Sequence, residues 1–109
     1  MAYDEGLATR VRDALGDRPG LAEKQMFGGL AFLLHGNMAC GVRGDELMVR
    51  MAPEAAAAAL EEPATHPFEM AGRTSRGWVL VSPAGHTEDG DLHRWVARGL
   101  DYAGSLPPK

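Results

Sequence analysis

Residues 24–51 read KQMFGGLAFLLHGNMACGVRGDELMVRM, and the fold turns on this stretch. Short apolar segments are broken there by Gly36-Asn37 and Gly44-Asp45, two dipeptides that suit two-residue hairpin turns because both residue types tolerate positive φ. Three antiparallel strands are expected. With both turns tight, Leu33 lies opposite Cys40 and Cys40 opposite Val49, while Ala31 faces Val42 and Val42 faces Leu47. Period-two alternation then gathers Ala31, Leu33, His35, Met38, Cys40, Val42, Leu47, Val49 and Met51 on one greasy, core-facing side. The opposite side carries Leu30, Phe32, Leu34, Asn37, Ala39, Gly41, Arg43, Glu46, Met48 and Arg50, a mixed set.

Outward from this sheet, the spacing of Tyr3, Leu7, Val11 and Leu15 is that of an amphipathic helix over about residues 3–15, stopped by Gly16 and Pro19-Gly20. Downstream, Pro53 suits a first helical turn, and Ala55 to Leu60 form a short helix that ends at Pro63. Pro67 to Met70 and Trp78 to Ser82 read as two more strands joined by the loop Gly72 to Gly77. A last helix, capped by Thr87 or Asp89 and closed by Gly104, sets Leu92, Trp95, Val96, Gly99 and Ala103 on one face. The expected order is α-β-β-β-α-β-β-α: an α+β, two-layer domain over residues 1–109, with a five-stranded antiparallel sheet, helices on one side and a flexible tail from about residue 105.

Composition narrows the function. A chain of 109 residues, 45% apolar and 24% charged, fits one packed core. A net charge of −4 with scattered basic residues lacks the cationic stripe that displaces counterions from a phosphate backbone, so direct nucleic-acid binding is disfavoured. Cys40 is the single cysteine, which excludes an intrachain disulfide and points to a reducing, cytoplasmic location. Charges from Asp4 to Arg18 interrupt any signal-peptide apolar run, and Gly28 to Leu34 is far too short to cross a bilayer. Neither secretion nor a membrane span is expected.

No catalytic, metal or cofactor site emerges. Cys40 lies mid-strand on the apolar face, where a thiol behaves as a small hydrophobe, and His35 is displaced from it toward the turn. His66, His86 and His93 lack ligand spacing, and Gly28-Gly29 lacks the lysine and hydroxyl of a phosphate loop. Arg73 and Arg76 in a glycine-flanked loop, with Arg50 and Trp78, are the candidate binding surface for an anion or a partner's carboxylate. Leu30, Phe32, Leu34 and Met48 form a candidate interface on the second sheet face, to be covered by the last helix or by another subunit in a homodimer.

Several signatures combine in order: Met26-Phe27-Gly28-Gly29 with Phe32, Gly36-Asn37-Met38 leading to Gly41-Val42, and Asp45 with Leu47, Val49 and Arg50. They continue through Pro67-Phe68, Gly72-Arg73, Gly77-Trp78, Leu92 with Trp95-Val96, and Tyr102-Ala103 before Ser105 to Lys109. Together they resemble the amino-terminal domain of the TfoX (Sxy) family over nearly the whole chain. The resemblance implies a secretion-chaperone-like α+β fold and a role like that of competence regulators, which act with a transcription activator. Those regulators carry a second, carboxy-terminal helical domain that is absent before Lys109, so this sequence reads as a stand-alone domain of the amino-terminal type. A non-enzymatic regulatory module with a protein partner is the leading expectation. The alternatives are a nucleic-acid-associated regulator using the Arg73–Arg76 loop, separable by salt-dependent retention on DNA or RNA, and a small enzyme with an unrecognised pocket.

Overall fold

The computed structural model describes residues 3–26, 28–70 and 72–109, apart from the side chains of Met70, Arg73 and Ser75. The first helix, α1, spans Glu5–Leu15. It starts later than the apolar spacing suggests because Asp4 caps it, accepting the Leu7 N–H at 3.1 Å, while Tyr3 bridges to Gly44 instead. Leu7, Ala8, Val11 and Leu15 are buried, and Gly16 at φ 67° ends the helix.

Strands β1 (Leu21–Met26), β2 (Gly29–Leu34), β3 (Asn37–Arg43) and β4 (Glu46–Arg50) follow, then α2 (Pro53–Ala59), β5 (Thr65–Met70), β6 (Arg73–Val81), a 3-10 turn at Pro83–Gly85 and α3 (Asp89–Ser105). The sheet therefore has six strands rather than five, all antiparallel, in the order β1-β2-β3-β4-β6-β5. The strand missing from the sequence reading is β1. Its residues LAEKQM show no alternation, because the four central side chains are all exposed at the sheet edge and only the end residues are half-buried. Charged side chains on an edge discourage pairing with other chains, so their polarity reflects protection of the edge rather than a loop.

The stretch expected as the loop Gly72 to Gly77 is mostly strand, since Met70 pairs with Arg73, Glu69 with Thr74 and Phe68 with Ser75. In α3 the cap position falls on Glu88, without a side-chain cap bond, and the Thr87 hydroxyl instead donates to Pro83 O.

Register matches the expectation across the Gly44-Asp45 turn and shifts across the β2–β3 turn. Gly44-Asp45 turns as expected, and Cys40 pairs with Val49 and Val42 with Leu47. The other hairpin turns one residue earlier, at His35-Gly36 with φ 52° and 84°, the double positive φ of a mirror-type two-residue turn. Leu34 thus faces Asn37 and Leu33 faces Met38; a bulge at Ala39 then sets Phe32 opposite Cys40 and Leu30 opposite Val42. The expected pairs Leu33–Cys40 and Ala31–Val42 do not form.

The shift exchanges the faces of β2. Leu30 and Phe32 join Cys40, Val42, Leu47, Val49, Val79 and Val81 in a core shared with Val11 of α1, Ala56 and Ala59 of α2, and Leu92, Trp95 and Val96 of α3. Burying each large side chain of that set contributes roughly 1.5–3 kcal/mol. The opposite face holds a smaller buried cluster of Met48, Phe68 and Leu80, with Trp78 packed against it. Two bonds tie the segment read as a tail to the β2–β3 turn: Asn37 Nδ2 donates to Pro107 O and the Lys109 N–H to His35 O, each at 2.9 Å. Among the described residues no helix is long and apolar enough to cross a membrane.

Candidate functional site

A wide bulge in β6 builds the site. Pro67 pairs with Val79 and Phe68 with Ser75, so Arg76, Gly77 and Trp78 have no partner on β5. On its other side Trp78 stays paired with Arg50 of β4, and Gly77 O accepts the N–H of Met51 at 2.8 Å. Gly77 sits at φ 86°, with a Cβ there coming within 2.9 Å of Met51 O, so glycine is required twice over. Pro67 lies on the outermost strand beside the bulge, positions to which proline in a sheet is confined. The extra residues bend β6 and carry Arg76 and Trp78 together beside α2.

The result is a recess of about 180 Å³, walled by Pro53, Ala56, Ala57 and Leu60 from the α2 region, Pro67 from β5, and Thr74, Arg76, Gly77 and Trp78 from β6. The half-buried Trp78 ring meets Phe68 edge-on, with centroids 6.1 Å apart and planes at 67°, which holds the indole against the second apolar cluster. Arg76 is exposed at the mouth. Other arginines are engaged: Arg10 with Asp89, Arg12 with Glu23, Arg94 and Arg98 with Glu62, and Arg18 with Leu15 O. Arg43 lies over Phe68 and Arg50 over Tyr102, each 5.4 Å from the ring centroid. Among the described arginine side chains, Arg76 alone has no hydrogen-bond, ion-pair or ring partner.

Of the residues singled out in the sequence, the fold thus unites Arg76 and Trp78. Arg50 is engaged instead with Tyr102 of α3, and the Arg73 side chain lies outside the described part. The expected cluster of Leu30, Phe32, Leu34 and Met48 is divided: Leu30 and Phe32 are buried in the helix-side core and Leu34 packs against it, whereas Met48 lies on the opposite face. The register shift around Ala39 is the cause. Pro53, Leu60 and Pro67 are lining residues that sequence reasoning missed, since nothing local says that α2 packs over β6.

A second, open hollow is lined by Arg43, Asp45, Glu46, His66 and Glu69. His66 Nε2 contacts Glu46 Oε2, and the Ser82 hydroxyl donates to that same oxygen at 3.4 Å. Serine and histidine share an acceptor instead of meeting each other, so no proton relay from hydroxyl to imidazole is assembled. Cys40 is fully buried, and burial pushes its thiol up to about 12, which keeps it protonated and unreactive. His35 stands apart in the β2–β3 turn, its ring against Gly20. The one buried side-chain nitrogen without a partner among the described residues is His86 Nδ1; its Nε2 pairs with Asp45 O at 3.0 Å. No group of three His, Cys, Asp or Glu among the described residues is placed to hold a metal.

These features define a small antiparallel α+β domain whose distinctive surface is a bulge-built recess. The family model described as the TfoX N-terminal domain matches residues 13–103, and the chain belongs to that family. A comparison with curated proteins finds no match.

Proposed function

We propose that this chain is a non-enzymatic regulatory module, like the amino-terminal domain of competence regulators, which binds a protein partner at the Arg76–Trp78 recess in the cytoplasm. The observation that carries this reading is an unengaged guanidinium held beside a half-buried indole by a strand bulge. Bulges that re-aim side chains recur at functional positions, and exposed Trp and Arg are the residue types that most often anchor interfaces. The buried Cys40 thiol and the shared Glu46 acceptor support a non-enzymatic reading. Membership of the TfoX N-terminal domain family supports the regulatory one.

Affinity capture from native lysate, with the parent chain and Arg76→Glu side by side, tests it. A protein retained by the parent and lost on charge reversal is expected. Identical retention by both, or salt-sensitive retention of nucleic acid in place of protein, refutes it.

A further inference from the structure

Three features of the recess restrict what it accepts. Its size comes first: ligand pockets for whole small molecules span about 300–1,000 Å³, whereas this one offers about 180 Å³. That suits a single anchoring side chain of a larger partner. Its walls come next, since Pro53, Leu60, Pro67 and the Trp78 ring are apolar and rigid, a surface that favours proline or a branched aliphatic group.

The uncommitted polar groups complete the set. The Thr74 hydroxyl is already donating to Glu69 Oε2 at 3.3 Å. Among the described residues, the Arg76 guanidinium and the Trp78 indole N–H have no acceptor. Both are donors without acceptor capacity, and a carboxylate is their acceptor-only complement. Nucleic-acid phosphate is the weaker match, because a chain of net charge −4, with Arg76 the one unengaged arginine among the described side chains, releases few counterions.

We infer that the recess binds an acidic linear segment of a partner protein, with a proline or aliphatic side chain seated against Trp78 and an Asp or Glu a few residues away paired to Arg76. The inference rests on the interaction-module reading above and adds the chemistry of the partner.

The test uses the full chain and labelled decapeptides of Gly/Ser background, in which Leu or Pro stands one to four residues from Asp or Glu. Matched sets replace the acid by its amide or by Lys, and an oligo-dT strand serves as the nucleic-acid probe. At least one acidic spacing is expected to bind about tenfold or more tightly than its amide counterpart, the scale of one charge-assisted hydrogen bond. Arg76→Glu is expected to abolish that preference and shift it toward the Lys set, while Arg76→Lys retains part of it. Trp78→Leu, checked for an unchanged melt, is expected to remove the preference for Leu or Pro over Ser.

Equal binding of acid and amide, a preference that survives Arg76→Glu, tighter binding of oligo-dT, or no peptide binding up to millimolar concentration overturns the inference. If the peptides fail while Arg76→Glu still releases the captured partner from lysate, the partner chemistry is wrong and the site stands. If capture also ignores Arg76→Glu, the functional reading falls with it.

Discussion

Replacing Gly99 by alanine sets helix propensity against packing within one residue. Gly99 is a buried position on the inner face of α3, and a Cβ built there lies 3.0 Å from the carbonyl carbon of Ala39 and closer still to its oxygen. Ala39 is the bulged residue of β3, so the obstacle is strand backbone rather than a side chain free to rotate away. Carbon contacts relax at about 3.5–4.0 Å, which requires α3 to retreat by roughly half an ångström or more. Trp95, 2% exposed, and Leu92, 1% exposed, lie on the same helix and resist that movement. Alanine gains about 0.8–1.0 kcal/mol over glycine in a helix. Overpacking typically costs about 1–3 kcal/mol, and a clash against backbone falls at the upper end.

Packing therefore wins, with a net loss of about 1–2 kcal/mol and a fall in Tm of roughly 5–15 °C. Gly104→Ala is the internal control: at the far end of the same helix its Cβ meets only Leu34 Cδ2, at an ordinary 3.7 Å. That variant is expected to melt at or a few degrees above the parent. Thermal and urea unfolding of both variants, followed by circular dichroism, gives the comparison. A Gly99→Ala protein as stable as the parent, or two variants that shift with the same sign, refutes the close approach of α3 to β3.

Trp95→Ala removes the largest fully buried side chain and is expected to cost about 3–5 kcal/mol, leaving the domain largely unfolded; a melt within a few degrees of the parent contradicts its placement in the core. Because burial raises the Cys40 thiol from 9.0 to about 12, the unfolded chain loses this proton first as pH rises. The contribution is thus complete below about pH 9 and declines by about 1.4 kcal/mol per unit from there toward pH 12, so urea unfolding of the parent should steepen with pH relative to Cys40→Ala. Equal slopes, or rapid thiol labelling of the native protein, would count against burial.

Glu23 is held below its ordinary carboxylate range by its hydrogen bonds to Arg12. Its contribution is present above the unfolded value of 4.5 and is lost as pH falls through the lower folded value. Since both side chains are about 40% exposed, Glu23→Gln is expected to cost no more than about 0.5 kcal/mol at pH 7, less in high salt. A loss of several kcal/mol in a urea titration would show the pair to be more than a surface contact.

The site was legible in part. In the sequence Arg76 and Trp78 stand out as a cation and an aromatic near glycines, but there Arg76 falls in a hairpin loop and Trp78 at the start of the next strand, with no bulge between them. Gly77 was the available clue, because a glycine inside an otherwise strand-like run marks a bulge. Arg50 belongs to the same candidate surface in the sequence, but its side chain instead reaches Tyr102, a residue far along the chain that only α3 brings near.

Local periodicity and turn chemistry by themselves determined the three helices, the strands β2 to β4, the Gly44-Asp45 turn and the burial of Cys40, since each depends on residues within a few positions of one another. Tertiary structure decided the edge strand β1, the bulge at Arg76–Trp78, and the bulge at Ala39 that sets which face Leu30 and Phe32 occupy. Side chains alternate with a period of two, so one inserted residue exchanges the faces of everything beyond it. Whether that residue is accommodated depends on the partner strand and on the helix packed above, neither of which is written locally.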